Sequence, residues 1–209
     1  MKFVNKLLSC AAVLSCSFGV ANATTLVLGA NGGSHVLDLG GADAGRVTPG
    51  AVNASSTAAL PLGGSGRFIA ASPGNTETLN LSDFASISSL SFIWGSADNN
   101  DGNNVLDVIA KDGSTLFTYT GTQLLALDGG GSGVSGSQTA ALANPWVTLN
   151  FGADAAKVGG LKFSANTIAF EASNFTLALP EAGTWAMMIV GVGLAGTALR
   201  RRKMTVRYA

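Results

Sequence analysis

Residues 24–179 of the 209-residue chain predict an all-β fold, either a β-sandwich or a jelly roll. Apolar and polar side chains alternate over short stretches, which is the period of a half-buried strand. Clusters of Gly, Asn and Asp separate these stretches, and such residues favour turns. No helical periodicity is convincing in this range, and the roughly ten to twelve short strands that the pattern indicates are typical of two packed sheets.

The first half of this region contains five predicted strands, at residues 24–28, 35–39, 67–71, 76–81 and 87–94. An Asn-Gly-Gly turn separates the first two. Residues 40–59 are rich in Gly, Ala and Ser and show little periodicity, so we expect a long surface loop there.

The second half begins with a predicted hairpin, formed by residues 105–110 and 115–120 around an Asp-Gly turn. A short strand is expected at residues 123–127, and four more at 146–151, 160–164, 167–171 and 174–179. Side chains that recur at every second position are expected to form the core between the sheets. These are Leu90, Phe92, Trp94, Val147, Leu149, Phe151, Ile168 and Phe170.

The predicted β domain is acidic and contains no cysteine. Between residues 24 and 179, five Lys and Arg side chains stand against eleven Asp and Glu, a net charge of −6. Nucleic-acid binding requires Lys and Arg near phosphates, so this charge argues against a nucleic-acid partner. Cys10 and Cys16 both lie in the N-terminal apolar segment, so the domain can use neither disulfides nor thiolate chemistry.

Residues 1–23 have the pattern of a secretory signal peptide. Lys2 and Lys6 form its basic start, an apolar stretch follows, and Ala21 and Ala23 mark a small-residue cleavage site. Cleavage after Ala23 is favoured. A lipoprotein signal that uses Cys16 and an uncleaved N-terminal anchor are the alternatives, and the bulky Leu14 fits a lipoprotein signal poorly.

The C-terminal segment, residues 180–203, predicts a transmembrane helix with a basic end. Pro180 marks the start of the helix, and the 18 residues of 182–199 include no charged side chain. A helix of that length spans roughly 27 Å, enough for a thin hydrocarbon core. Trp185 suits the membrane interface, and the cluster Arg200, Arg201 and Arg202 should remain cytoplasmic, followed by a short cytoplasmic tail at 204–209.

This tail resembles the PEP-CTERM sorting signal of bacterial exosortase substrates. In that family a Pro-Glu-Pro box precedes a membrane helix and an Arg-rich end. Pro180, Glu181, Trp185 and Arg200 to Arg202 match this order, whereas Ala182 replaces the second Pro of the box. The resemblance implies an exosortase as partner, transient retention in the inner membrane of a Gram-negative bacterium, and final location at the cell surface or in the extracellular matrix. An ordinary single-pass anchor without processing is the alternative.

A second resemblance lies within the β domain. The segment from Ser91 to Asp98, with Phe170-Glu171 and Asn174-Phe175 ahead of the tail, looks like a group of exosortase-dependent surface proteins. That group implies association with the surface or with a biofilm matrix of exopolysaccharide, and no known catalytic residues. We therefore expect a non-enzymatic structural or adhesive protein. The alternatives are a carbohydrate-binding module, for which Trp94, Tyr119 and Trp146 are the candidate aromatics, and a secreted hydrolase.

The residues of the domain offer no recognisable catalytic set. His35 is the single histidine of the chain, no Gly-x-Ser-x-Gly motif is present, and a zinc site would need several His or Cys ligands. Paired carboxylates could serve a glycosidase, but most of the acids occur at predicted turns, where Asp is favoured for backbone reasons.

Calcium is the one cofactor that the sequence leaves open. Asp98, Asn100, Asp101 and Asp107 lie in a stretch rich in oxygen ligands of the type that calcium prefers. The spacing around Gly102 does not match an EF-hand loop, since position 97 is Ala. A polar turn without an ion is the preferred interpretation.

Overall fold

The computed structural model describes residues 24–30, 32–54, 58–127, 135–180 and 182–200. Within these ranges the chain forms eleven strands, two α-helices and three short 3-10 turns. The strands are β1 (Thr25–Leu28), β2 (His35–Val36), β3 (Val47–Thr48), β4 (Ile69–Ala71), β5 (Thr76–Asn80), β6 (Ser89–Gly95), β7 (Val105–Ala110), β8 (Thr115–Thr120), β9 (Trp146–Asn150), β10 (Val158–Ser164) and β11 (Phe170–Ala178). The helices are α1 (Gly121–Leu127) and α2 (Ala182–Arg200).

The strands form two antiparallel sheets, which confirms the all-β prediction. The first sheet has the order β1-β9-β6-β11-β2, and β4 pairs with β11 beside β2. The second sheet has the order β3-β5-β10-β7-β8 and includes the predicted hairpin of β7 and β8. Gly113 adopts a φ of 85° in the turn of that hairpin, a conformation that glycine reaches without steric cost.

One hydrophobic core joins the two sheets. Phe92 of β6 contacts Phe163 of β10 edge-to-face across the core, with ring centroids 6.0 Å apart. Trp94 packs on Phe170 with a centroid distance of 4.6 Å, and its side chain is fully buried. Seven of the eight predicted core residues have no exposed surface: Leu90, Phe92, Trp94, Val147, Leu149, Phe151 and Phe170.

The prediction that Ile168 belongs to the core is wrong, because 36% of its surface is exposed. The sequence pattern extends the last strands to residue 167, but β11 begins only at Phe170. Residues 166–168 form a bend, in which the backbone N–H of Thr167 donates to the side chain of Asn103 at 2.9 Å. The alternation of a strand therefore does not apply to Ile168.

The expectation of a strand at residues 123–127 is also wrong. The segment forms α1, which starts with a reciprocal cap between Thr120 and Gln123. The backbone N–H of each residue donates to the side-chain oxygen of the other, at 3.0 and 3.3 Å. This Thr-x-x-Gln capping box satisfies two helix-start donors, and Leu124 and Leu125 then face the core.

Residues 40–59 are less open than the predicted surface loop. A 3-10 turn at Ala44–Arg46 leads into β3, which forms the edge of the second sheet by pairing with β5. Arg46 donates to Asp43 and makes a two-point contact with Asp83, which fixes this segment against the strand end. Asp43 has a lowered pKa: burial opposes the shift, but the Arg46 side chain and the Asp38 N–H stabilise its carboxylate.

A buried acid holds the segment that precedes β4 against the first sheet. Glu171 of β11 is 2% exposed, and the Ser96 hydroxyl donates to its Oε2 at 2.5 Å. Pro61 lies over Gly95, where an added Cβ would come within 2.8 Å of the proline ring. Burial raises the pKa of Glu171, although bonds from Ser96 and from backbone groups, including that of Ala59, act in the opposite direction.

Alanine substitution of one buried and one exposed aliphatic residue should show where the core ends and the bend begins. We expect Leu90→Ala to lower the free energy of unfolding by about 2–5 kcal/mol, because it leaves a cavity between the sheets. Ile168→Ala should cost about 1 kcal/mol or less, because its side chain is already partly in water. Urea unfolding followed by tryptophan fluorescence measures both. Equal losses would contradict a core boundary that includes Leu90 and excludes Ile168.

Glu171 should make the domain less stable as the pH rises. Its folded pKa lies above the ordinary value of 4.5, so its contribution is complete below that pH and is lost as the pH rises through the folded pKa. We expect Glu171→Gln to gain stability relative to the wild type between pH 4.5 and 8, measured as the difference in Tm.

The turn residue Asp112 provides a control of opposite sign. The Ser114 hydroxyl and N–H lower its pKa, so Asp112→Asn should lose stability relative to the wild type as the pH rises from 3 to 5. If the Tm of Glu171→Gln instead falls further below that of the wild type as the pH rises, the folded protein favours the charged form of Glu171.

Candidate functional site

The C-terminal tail leaves the sandwich at a fixed point. β11 ends at Ala178 and α2 begins at Ala182, so three residues connect the sheet to the helix. Leu179 is half-buried against the core, and Pro180 is exposed. Both residues line a cavity of about 480 Å³ together with Phe84, Ala85 and Ser86. The start of the predicted sorting signal therefore lies directly at the edge of the folded domain.

Helix α2 carries a row of exposed apolar side chains: Met188, Ile189, Val190, Val192 and Leu194. The helix ends at Arg200, which is also exposed, and Trp185 lies one turn after its start. Across the part of the chain that the structure describes, no helix is both long enough and apolar enough for a membrane span. Glu181, Arg201 and Arg202 of the sorting signal, and Ala21 and Ala23 of the signal peptide, lie outside the described residues.

The turn from Asp98 to Asn104 is stabilised by its own hydrogen bonds. The Asp98 carboxylate accepts from the N–H of Asn100 at 2.9 Å, from the hydroxyl of Ser135 at 3.0 Å and from the amide of Asn103 at 3.1 Å. Asn100 in turn accepts from the N–H of Gly102. These bonds engage side-chain oxygens of Asp98 and Asn100, two of the predicted calcium ligands, whereas Asp101 is exposed in the same turn.

Asp107 is not part of that turn. It lies on β7, where it accepts from the hydroxyl of Thr118 at 2.6 Å and forms an ion pair with Lys162 at 2.9 Å. The structure thus brings Asp98 and Asn100 together but pairs Asp107 with other side chains. Among the described residues, no three His, Cys, Asp or Glu side chains are grouped so as to hold a metal ion. The proposal of a calcium site stays a prediction.

The candidate catalytic groups are likewise engaged in the fold. His35 packs edge-to-face on Phe84 with a centroid distance of 5.4 Å, at the start of β2. Ser96 bonds to Glu171 beneath the segment that contains Pro61. Sequence reasoning missed this buried pair, and the available signal was an acid between Phe170 and Ala172 in a predicted strand.

A groove of about 800 Å³ lies on the outer face of the first sheet. It forms where β11 is flanked by two different short strands: β4 pairs with residues 170–172 and β2 with residues 176–177. Of the three residues in between, Phe175 accepts from the N–H of Leu37 at 2.9 Å, whereas Ser173 and Asn174 belong to neither pairing on that side. Twelve residues line the groove: Val36, Leu37, Asp38, Leu39, Gly40, Asn53, Ser65, Gly66, Arg67, Trp146, Asn174 and Thr176.

The groove combines one aromatic side chain with polar groups. Trp146 is half-buried and lines the groove, whereas Trp94 is fully buried in the core. Tyr119 lies on β8 of the other sheet, where its hydroxyl donates to the carbonyl of Thr24 at 3.2 Å. Of the three candidate aromatic residues for carbohydrate binding, Trp146 is therefore the one placed in this groove.

Comparison with known proteins identifies the tail. Residues 178–203 match the family model described as the PEP-CTERM protein-sorting motif. No curated protein and no solved structure matches the chain. The motif implies processing by an exosortase, export, and a surface or extracellular location in bacteria. The chain thus carries a PEP-CTERM protein-sorting motif that begins at the last residue of its β domain.

Proposed function

We propose that this chain is a non-enzymatic, exosortase-processed protein that serves as a structural or adhesive component of an extracellular polysaccharide matrix. The observation that carries the proposal is the direct junction between the sorting motif and the sandwich. The motif begins at residue 178, the last residue of β11, and the connector to α2 has three residues. The β domain is therefore the cargo that the tail delivers.

We propose the following route for that cargo in a Gram-negative bacterium. The segment 1–23 acts as a signal peptide and is cut after Ala23. The exposed apolar side chains of α2 have no partner in the described sandwich, which supports insertion of the tail into the inner membrane. The cluster that begins at Arg200 then stays on the cytoplasmic side, because arginines resist transfer across the bilayer.

Cleavage near Pro180-Glu181 would release an intact domain. The last residues that contact the core are Leu177 and Leu179, and both precede the cut. The apolar helix that remains behind contributes none of the core residues of the described chain. Processing therefore changes the location of the β domain and leaves its packing unchanged.

The non-enzymatic assignment is supported by the engagement of the candidate groups. His35 packs on Phe84, the Asp98 carboxylate holds a turn, and Glu171 lies beneath a buried proline segment. A secreted hydrolase remains the weakest alternative, since it would need two carboxylates placed on either side of a substrate bond.

Binding of a polysaccharide is the second candidate function, and the groove with Trp146 favours it. An amphipathic aromatic ring beside amide, carboxylate and guanidinium groups suits a ligand with apolar faces and a hydroxyl-rich edge. This function is compatible with adhesion, because the domain can adhere to the matrix by binding its glycan.

Variants of the tail should separate sorting from simple anchoring. Replacement of Arg200, Arg201 and Arg202 by neutral residues should reduce retention and processing, since the charges that hold the C-terminus inside are lost. Replacement of Pro180 and Glu181 should leave the chain inserted but uncut, at full length in the membrane fraction. Immunoblots of cell fractions measure both outcomes.

The control is the wild-type chain in hosts with and without an exosortase. Sorting predicts a shorter product only where the exosortase is present. A wild type that remains at full length in its native host would identify the tail as a plain membrane anchor.

Calcium should have no effect on the stability of the β domain. The turn already satisfies the Asp98 oxygens, so we expect millimolar calcium to leave the Tm unchanged, with magnesium as the control. A rise in Tm with calcium but not with magnesium would reveal a bound ion through linkage.

A further inference from the structure

We infer that the groove beside β11 is a binding site for a neutral polysaccharide, with Trp146 as its stacking surface and Asn174 as a hydrogen-bond donor. This inference rests on the proposed matrix function and assigns a site and a ligand class to it. Four features of the described residues support it: the break in strand pairing, the conformation of Asn174, the exposure of Trp146 and the balance of charge.

The break in pairing creates the space for a ligand. The chain that leaves β2 at Val36 stays beside β11 at Leu37, whose N–H donates to the Phe175 carbonyl at 2.9 Å, and then continues along residues 38–40. The chain that enters β4 approaches through Ser65 and Arg67. Both segments line the groove, and they approach each other where Gly40 lies beside the Arg67 side chain. The guanidinium of Arg67 donates to the carbonyl of Ala51. The floor is β11, whose side chains at this point are Asn174 and Thr176.

Asn174 is held in a conformation that few residues adopt. Its φ is 58°, and the register between β11 and β6 shifts between Ser173 and Thr176. Bulges of this kind redirect side chains and are frequent beside functional sites. Asparagine tolerates the left-handed conformation better than most residues, at a cost that surrounding contacts must offset.

Asn174 lines the groove, and its amide oxygen is already engaged. Its oxygen accepts from the N–H of Ser65 at 2.9 Å, which fixes the orientation of the side chain. Within the described part of the chain, its Nδ2 makes no hydrogen bond. An oriented and half-buried amide with two free N–H bonds is suited to the hydroxyl or ring oxygen of a sugar.

Trp146 supplies the apolar contact that saccharide rings require. It lies at the start of β9, opposite Ile93 of β6. Its ring lies in the groove together with Val36, whose side chain is 66% exposed. Sugars present flat C–H faces between hydroxyl-bearing edges, so an indole with polar groups around it matches their two kinds of surface.

The charges of the groove favour a neutral polysaccharide. The lining contains one carboxylate, Asp38, and one guanidinium, Arg67, so its formal charge is zero. The domain as a whole, residues 24–179, carries −6 and repels a polyanion at low ionic strength. A polyuronate would need an excess of basic side chains, which the groove lacks.

The test uses the full-length chain in mild detergent and isothermal titration with three neutral hexasaccharides: cellohexaose, mannohexaose and maltohexaose. We expect at least one of them to bind. Trp146→Ala should weaken that binding about tenfold or more, whereas Trp146→Phe should retain most of it. Asn174→Asp keeps the oxygen that accepts from Ser65 but removes the two N–H donors, and should weaken binding about fivefold.

Tyr119→Phe is the matched control, since Tyr119 lies on the other sheet and its loss should leave affinity unchanged. A Tm within a few degrees of the wild type verifies that each variant is folded. Absence of binding to all three hexasaccharides would overturn the inference. The inference would also be overturned if neither Trp146→Ala nor Asn174→Asp changed the affinity, or if the chain bound only a hexauronate or a peptide. These outcomes are independent of tail processing, so a failed titration leaves the exosortase test intact.

Discussion

Strand β11 organises the first sheet through its pairing. This nine-residue strand pairs with β6 along one edge and with both β4 and β2 along the other. Its inward side chains include Phe170 and Phe175, which join the aromatic part of the core. Its outward side chains include Glu171 and Asn174, which fix the segments above the sheet. The same strand then continues into the sorting motif.

The strand also shows how polar groups are accommodated on a covered sheet face. Most outward positions of the first sheet are small or hydroxyl-bearing, and Ser91 and Thr148 bond to each other at 2.8 Å. Glu171 obtains its partners from Ser96 and the backbone, at the cost of a raised pKa. Buried polar groups are tolerable where they are satisfied, as Ser91, Thr148 and Glu171 are here.

Local patterns predicted the local parts of this fold. Alternation identified β6 and β9 and their core residues, because burial on one face imposes a period of two. It failed at Ile168, where the strand had not yet begun, and at residues 123–127, where the Thr120 and Gln123 capping box outweighed a short apolar run. The order of box, apolar run and basic cluster identified the tail, since sorting signals are read as linear sequence.

The groove could not be predicted in the same way. Its walls come from residues 36–40 and 65–67, and its floor from Trp146 and β11. These segments are distant in sequence and meet only because β2 and β4 share one neighbour strand. Glycine-rich stretches with single polar residues carry no periodic signal, so the sequence alone describes such segments only as loops.

The direct continuity of β11 and the tail has a mechanical consequence. Force applied through the tail, while the domain is held by a ligand, acts along the axis of β11. Since β11 is antiparallel to neighbours on both edges, that force would load its ladder hydrogen bonds in shear, so that many must break together. A strand on the edge of a sheet would carry the same load on one ladder instead of two. The internal position of β11 thus distributes a pull on the tail over the ladders on both of its edges.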